Sequence, residues 1–122
     1  MKKILTLFFV FFAFETMAIE KKTTFDMEIF KEAQNSGKTV VVNSWNKFCG
    51  TCGLQTKIIN EAKKEFPNVI FLSYEQKHKE IAEFLNIDYW ATIAVYKNNK
   101  EINRALGITS KEDIYSLINQ GV

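Results

Sequence analysis

The spacing of apolar residues along the chain changes period several times, and each change marks an element. Phe25, Ile29, Phe30 and Ala33 fall on one side of a helix running from Phe25 to about Asn35, with Thr24 as its N-cap and Gly37 beyond its end. An unbroken run, Thr39-Val40-Val41-Val42-Asn43-Ser44-Trp45, then reads as a central strand covered on both faces. From Cys52 to Phe66 the helical period returns through Leu54, Ile58, Ile59, Ala62 and Phe66, and Pro67 stops it. Val69 to Tyr74 predicts a second strand, parallel to the first in a right-handed β-α-β unit. Lys77 to Asn86 follows as a helix with Ile81, Ala82 and Leu85 inward and His78 near its start on a solvated face. Ala91 to Lys97 and Glu101 to Ala105 are strands of a hairpin turning at Asn98-Asn99, where asparagine tolerates positive φ. Gly107 breaks the pattern, and Ser110 with Asp113 opens a last helix carrying Ile114, Leu117 and Ile118. Ile19 to Thr23 reads as a short edge strand.

The first eighteen residues follow a different rule. Lys2 and Lys3 precede an apolar stretch from Ile4 to Phe14, and Thr16-Met17-Ala18 supplies a small residue at a cut. The stretch is shorter than the roughly 20 residues that span a bilayer, and Glu15 interrupts it. Residues 1–18 therefore read as a signal peptide and 19–122 as one domain, exported to the periplasm, or tethered to the membrane where the leader stays uncleaved. Removing Lys2, Lys3 and Glu15 from the 16 basic and 14 acidic residues leaves a net charge of +1. So slight an excess gives no argument for nucleic acid or an anionic surface as partner. No repeat, linker or charge block divides the remainder.

Chemistry concentrates in Trp45-Asn46-Lys47-Phe48-Cys49-Gly50-Thr51-Cys52, which holds both cysteines of the chain between the central strand and a helix. A structural zinc site needs four ligands, and the chain adds a single histidine, His78. Residues three apart in a first helical turn face the same way, close enough for a disulfide. At the helix start Cys49 would be held as thiolate by unpaired backbone N–H groups and the helix dipole, while Cys52 could attack the resulting mixed disulfide. A purely structural staple over so short a loop would stabilise the fold by only about 2 kcal/mol. Binding of a metal ion by the pair is the third reading.

This order of elements, with Trp-x-x-x-Cys-x-x-Cys between strand and helix, resembles the thioredoxin family from Ile19 to Gly121. The resemblance implies an α/β thioredoxin-like three-layer sandwich: a mixed four- or five-stranded sheet with helices on both faces, ordered Val69, Thr39, Ala91 and Glu101 strands. It implies a protein-disulfide oxidoreductase in which Cys49 attacks and Cys52 resolves, with Trp45 packed beneath the loop and no cofactor beyond the Cys49–Cys52 disulfide. Partners would be protein thiols and disulfides and a membrane or exported redox partner, engaged by a monomer. Lys47, Phe48, Gly50 and Thr51 would support the loop, with Lys47 and the Thr51 hydroxyl steadying the thiolate and making the couple more oxidising. Two positions depart from the family. Asn43 stands where relatives carry a buried carboxylate that takes the inner cysteine's proton, which an amide cannot do. Ala91, in the substrate-facing stretch Trp90-Ala91-Thr92, replaces a cis-proline, so the Trp90–Ala91 bond is strained or trans. These departures leave two other readings: a module that carries a soft metal such as Cu(I) on both sulfurs, and a thioredoxin-like domain that binds a partner without turnover.

Overall fold

The computed structural model describes residues 22–122. The predicted leader and residues 19–21 of the predicted edge strand lie outside that range; Lys22 and Thr23, inside it, are not strand. Helix α1 spans Met27–Asn35, β1 Val40–Trp45, α2 Gly50–Glu65, β2 Ile70–Glu75, α3 Lys79–Leu85, β3 Thr92–Lys97, β4 Lys100–Leu106 and α4 Lys111–Asn119. The strands form one sheet in the order β2-β1-β3-β4, with β1 parallel to β2 and antiparallel to β3.

Strand alternation sorts the core into two layers. Val40, Val42, Leu72, Tyr74, Ala94 and Tyr96 face α1 and α3, meeting Phe25, Phe30, Ala33 and Leu85. Val41, Ile93 and Val95 face the other way, against Ile59 and Ala62 of α2 and Ile114, Leu117 and Ile118 of α4. All six residues of β1 are buried, as the valine run predicts. Asn98 (φ 54°) and Asn99 (φ 65°) both adopt the left-handed conformation that a two-residue hairpin requires.

Local details differ from the sequence reading. The cap of α1 is Asp26, whose carboxylate accepts from the Glu28 and Ile29 amides; Thr24 instead bonds with Ser73 at the edge of β2. Ile29 faces solvent. Leu54 is exposed as well, and the buried stripe of α2 runs Cys52, Gln55, Ile59, Ala62. Gln55 takes the inward place because its amide bonds the Ala91 and Ile108 carbonyls.

Burial pushes the Tyr74 and Tyr96 phenols well above their ordinary range, with mutual repulsion adding to the shift at Tyr74 and Glu101 to that at Tyr96. A phenol whose folded pKa is raised loses stability as pH climbs past the unfolded value of about 10. Neither ring should ionise in the folded chain, so phenolate absorbance from these two should rise only together with loss of structure in alkaline unfolding. Ionisation of all four tyrosines in a still folded protein would contradict this.

Candidate active site

Strand β1 ends at Trp45 and delivers the chain into a turn closed by the Asn46 side chain, which accepts from the Phe48 amide at 2.9 Å. Cys49 follows as the N-cap of α2, in extended conformation, with its sulfur accepting from the Cys52 amide at 3.1 Å. A sulfur in that position receives a helix-end N–H that has no backbone partner, the interaction that favours a thiolate once the bond is reduced. The two cysteines are joined, with Cα atoms 5.3 Å apart. Cys49 is partly exposed while Cys52 is buried at 2%, so an incoming group reaches the first sulfur and not the second. Trp45 packs with Cys52 and Ala91 beneath the loop.

Around the sulfurs the predicted loop residues separate into two sets. Phe48 (79% exposed), Tyr89 (64%) and Trp90 (44%) present aromatic surface, and Trp90 is therefore not a core residue. Thr51 lines a cleft with Cys49, Asp88, Tyr89, Trp90, Ala91 and Gly107. The Lys47 ammonium lies over the Phe48 ring, 5.5 Å from its centre. Gly50 is the first residue of α2, with open space where a Cβ would point. Asn43, Ala91 and Thr92 are buried.

The Trp90–Ala91 bond is trans, and Ala91 sits at φ 58°. A non-glycine residue there needs its surroundings to hold it. The Ala91 amide donates to the Ser44 carbonyl at 3.0 Å, and its carbonyl accepts from Gly107 N at 2.9 Å and Gln55 Nε2 at 3.0 Å. Gln55, fully buried, also donates to the Ile108 carbonyl at 2.9 Å and accepts from Asn43 Nδ2 at 3.2 Å. Ser44 Oγ donates to the Tyr89 carbonyl at 2.8 Å and accepts from the Thr92 amide at 3.1 Å, while the Thr92 hydroxyl donates to the Tyr89 carbonyl at 2.9 Å. The loop opposite the disulfide is thus tied down by Ser44 and Gln55. Both of Ala91's backbone polar groups are engaged inside the protein.

Sequence reasoning passed over Ser44, Gln55 and Glu75. For Gln55 a signal existed: it lies three residues after Cys52, on the side of the helix that should be apolar. Glu75 could not be found that way, because it reaches the cavity lined by Cys49 and Cys52 only through pairing beside Trp45 across the sheet. Among the described residues no group of three or more His, Cys, Asp or Glu could hold a metal ion.

Residues 16–120 match the family model described as Thioredoxin. Over 90 residues the chain is 33% identical to a thioredoxin of Mycoplasma genitalium, covering 73% of this chain and 88% of that one. It superposes on the crystal structure of Schistosoma mansoni thioredoxin with a TM-score of 0.70 at 26% identity, covering 85% and 94% of the two chains. Trxlp from Edwardsiella tarda shares the fold, with a TM-score of 0.74 at 19% identity over 80% of this chain and 98% of that one. Such a family match, and a cysteine pair bonded at the head of α2, are those of a protein-disulfide oxidoreductase. By sequence and by architecture, the chain belongs to the thioredoxin family.

Proposed function

We propose that the protein exchanges disulfides with exported protein substrates, Cys49 being the sulfur attacked or attacking and Cys52 the one that resolves the mixed disulfide. The observation that carries this reading is the Cys49 sulfur, partly exposed and receiving the Cys52 amide at the start of α2. In the reducing direction the Cys49 thiolate bonds to one substrate sulfur and expels the other. Cys52 then gives up its proton, attacks the Cys49 sulfur and releases the second substrate thiol; two cysteine sulfurs are oxidised and two substrate sulfurs reduced.

Export rests on the leader-like residues 1–18, which also point to a compartment where disulfides persist. A monomer meeting protein thiols and an exported or membrane-bound redox partner fits that setting. The Gly50-Thr51 pair between the cysteines supports a couple more oxidising than the about −270 mV of reducing thioredoxins. The oxidised protein should speed disulfide return in a reduced, unfolded secretory substrate, and cell fractionation should find the chain outside the cytoplasm, shortened after Ala18. Failure to catalyse either refolding or insulin reduction would remove the enzyme reading; a cytoplasmic chain of full length would remove the export reading.

A further inference from the structure

The amide of Asn43 cannot take a proton from Cys52, and its surroundings show that it serves another purpose: Nδ2 donates to the Ser44 carbonyl, Gln55 Oε1 and the Thr92 carbonyl. A carboxylate is nevertheless present on the same side of the sheet, one strand away. Glu75 closes β2 directly beside Trp45 in the parallel register. Alternation along β2 turns Leu72 and Tyr74 toward α1 and α3, and Glu75 toward the side that holds the disulfide. Glu75 is 8% exposed. With Trp45, Lys47, Cys49, Cys52 and Thr56 it lines a cavity of about 420 Å³.

We propose that Glu75 is the proton acceptor for Cys52, replacing a carboxylate that β1 lacks. Burying a carboxylate is costly unless a cation or hydrogen bonds compensate, and the Lys77 ammonium stands 3.4 Å from the Glu75 carboxylate. Lys77 is 64% exposed, so this pair is open to solvent on one side and to the cavity on the other. Among the described residues, the cation that lines the cavity with Glu75 is Lys47, from the loop before α2, while Lys77, two residues past β2, reaches the Glu75 carboxylate from outside that lining. When the mixed disulfide forms on Cys49, the Cys52 S–H proton passes to the Glu75 carboxylate, directly or through a water in the cavity. The Cys52 sulfur bonds to the Cys49 sulfur, and the expelled substrate thiolate is reprotonated by the Glu75 carboxyl or by solvent. In the opposite direction the neutral Glu75 carboxyl returns that proton to Cys52 as it leaves.

This assignment rests on Cys52 as the resolving thiol, yet its test needs no protein substrate. The reduced full chain is mixed with one equivalent of a chromogenic aryl disulfide, which releases dye once when Cys49 attacks and again when Cys52 resolves. Glu75→Gln should leave the first phase unslowed and slow the second at least about tenfold, with Glu75→Asp in between. The wild-type second phase should hold a plateau as pH falls below the thiol range. In Glu75→Gln it should fall throughout in proportion to the thiolate. An unchanged second phase in Glu75→Gln would overturn the proposal. Were that variant unable to fold, a wild-type second phase that tracks the thiolate without a plateau would overturn it equally. A protein inactive on insulin or refolding substrates would refute the oxidoreductase reading instead and leave these phases readable.

Discussion

Cys49→Ser is expected to reduce disulfide exchange to the uncatalysed level, and Cys52→Ser to stop it after a single half-reaction. The asymmetry follows from exposure. Cys49 is reachable, so a substrate sulfur can bond to it; Cys52, 2% exposed, meets only what is already attached to Cys49. With Ser at 52 the mixed disulfide therefore has no internal attacker and should accumulate as a covalent adduct of one substrate per chain. Mass spectrometry of the quenched reaction reads this directly, beside insulin turnover for both variants. Residual turnover by Cys49→Ser near the wild-type rate would mean that Cys52 is the entry sulfur, and the geometry of α2 would have been misread.

Gln55→Leu should be the most damaging change outside the cysteines. The side chain is fully buried and makes three hydrogen bonds, to the Ala91 and Ile108 carbonyls and from Asn43. Leucine fills most of the space but leaves the Ile108 carbonyl without this donor, and a buried polar group so abandoned costs about 1 to 3 kcal/mol. Release of the left-handed Ala91 adds to that, so a loss of about 3 kcal/mol is expected, on the order of 10 °C or more in melting temperature for a chain of this size. Denaturant midpoints measure it; an unchanged midpoint would show that the loop does not depend on Gln55. The same network decides what Asn43→Asp would do. Three oxygens now accept from the amide, so a carboxylate there would lose those three bonds and stand against the same oxygens, which favours its protonated form. A carboxyl raised above its unfolded value of about 4 destabilises progressively as pH rises through the interval between the two values. That variant should accordingly be less stable at neutral than at mildly acid pH.

Much of this was legible in residues. The valines of β1 required cover on both faces, Asn98-Asn99 matched a two-residue turn, and Ser110 capped α4 through the Asp113 amide as its position implied. Cys49 and Cys52 declared themselves by placement between a strand and a helix. Less visible was anything fixed by neighbours distant in sequence. Asp26 rather than Thr24 caps α1, because Thr24 is engaged by Ser73 on the edge of β2. Leu54 and Gln55 exchange their expected places on α2 because an amide there can bond two carbonyls 36 and 53 positions away, and a leucine cannot.

The order of periods along the chain, and the cysteines at one junction in it, determined the layered α/β fold and the sulfur chemistry, since these depend on local spacing and on which faces must leave water; the sheet order came only from the family resemblance. Tertiary structure alone decided how the Trp90–Ala91 bond is held and which carboxylate shares a cavity with Cys52. Both depend on strands side by side: Ser44 reaches the loop before β3, and Glu75 comes level with Trp45, through registers that no single stretch of sequence encodes.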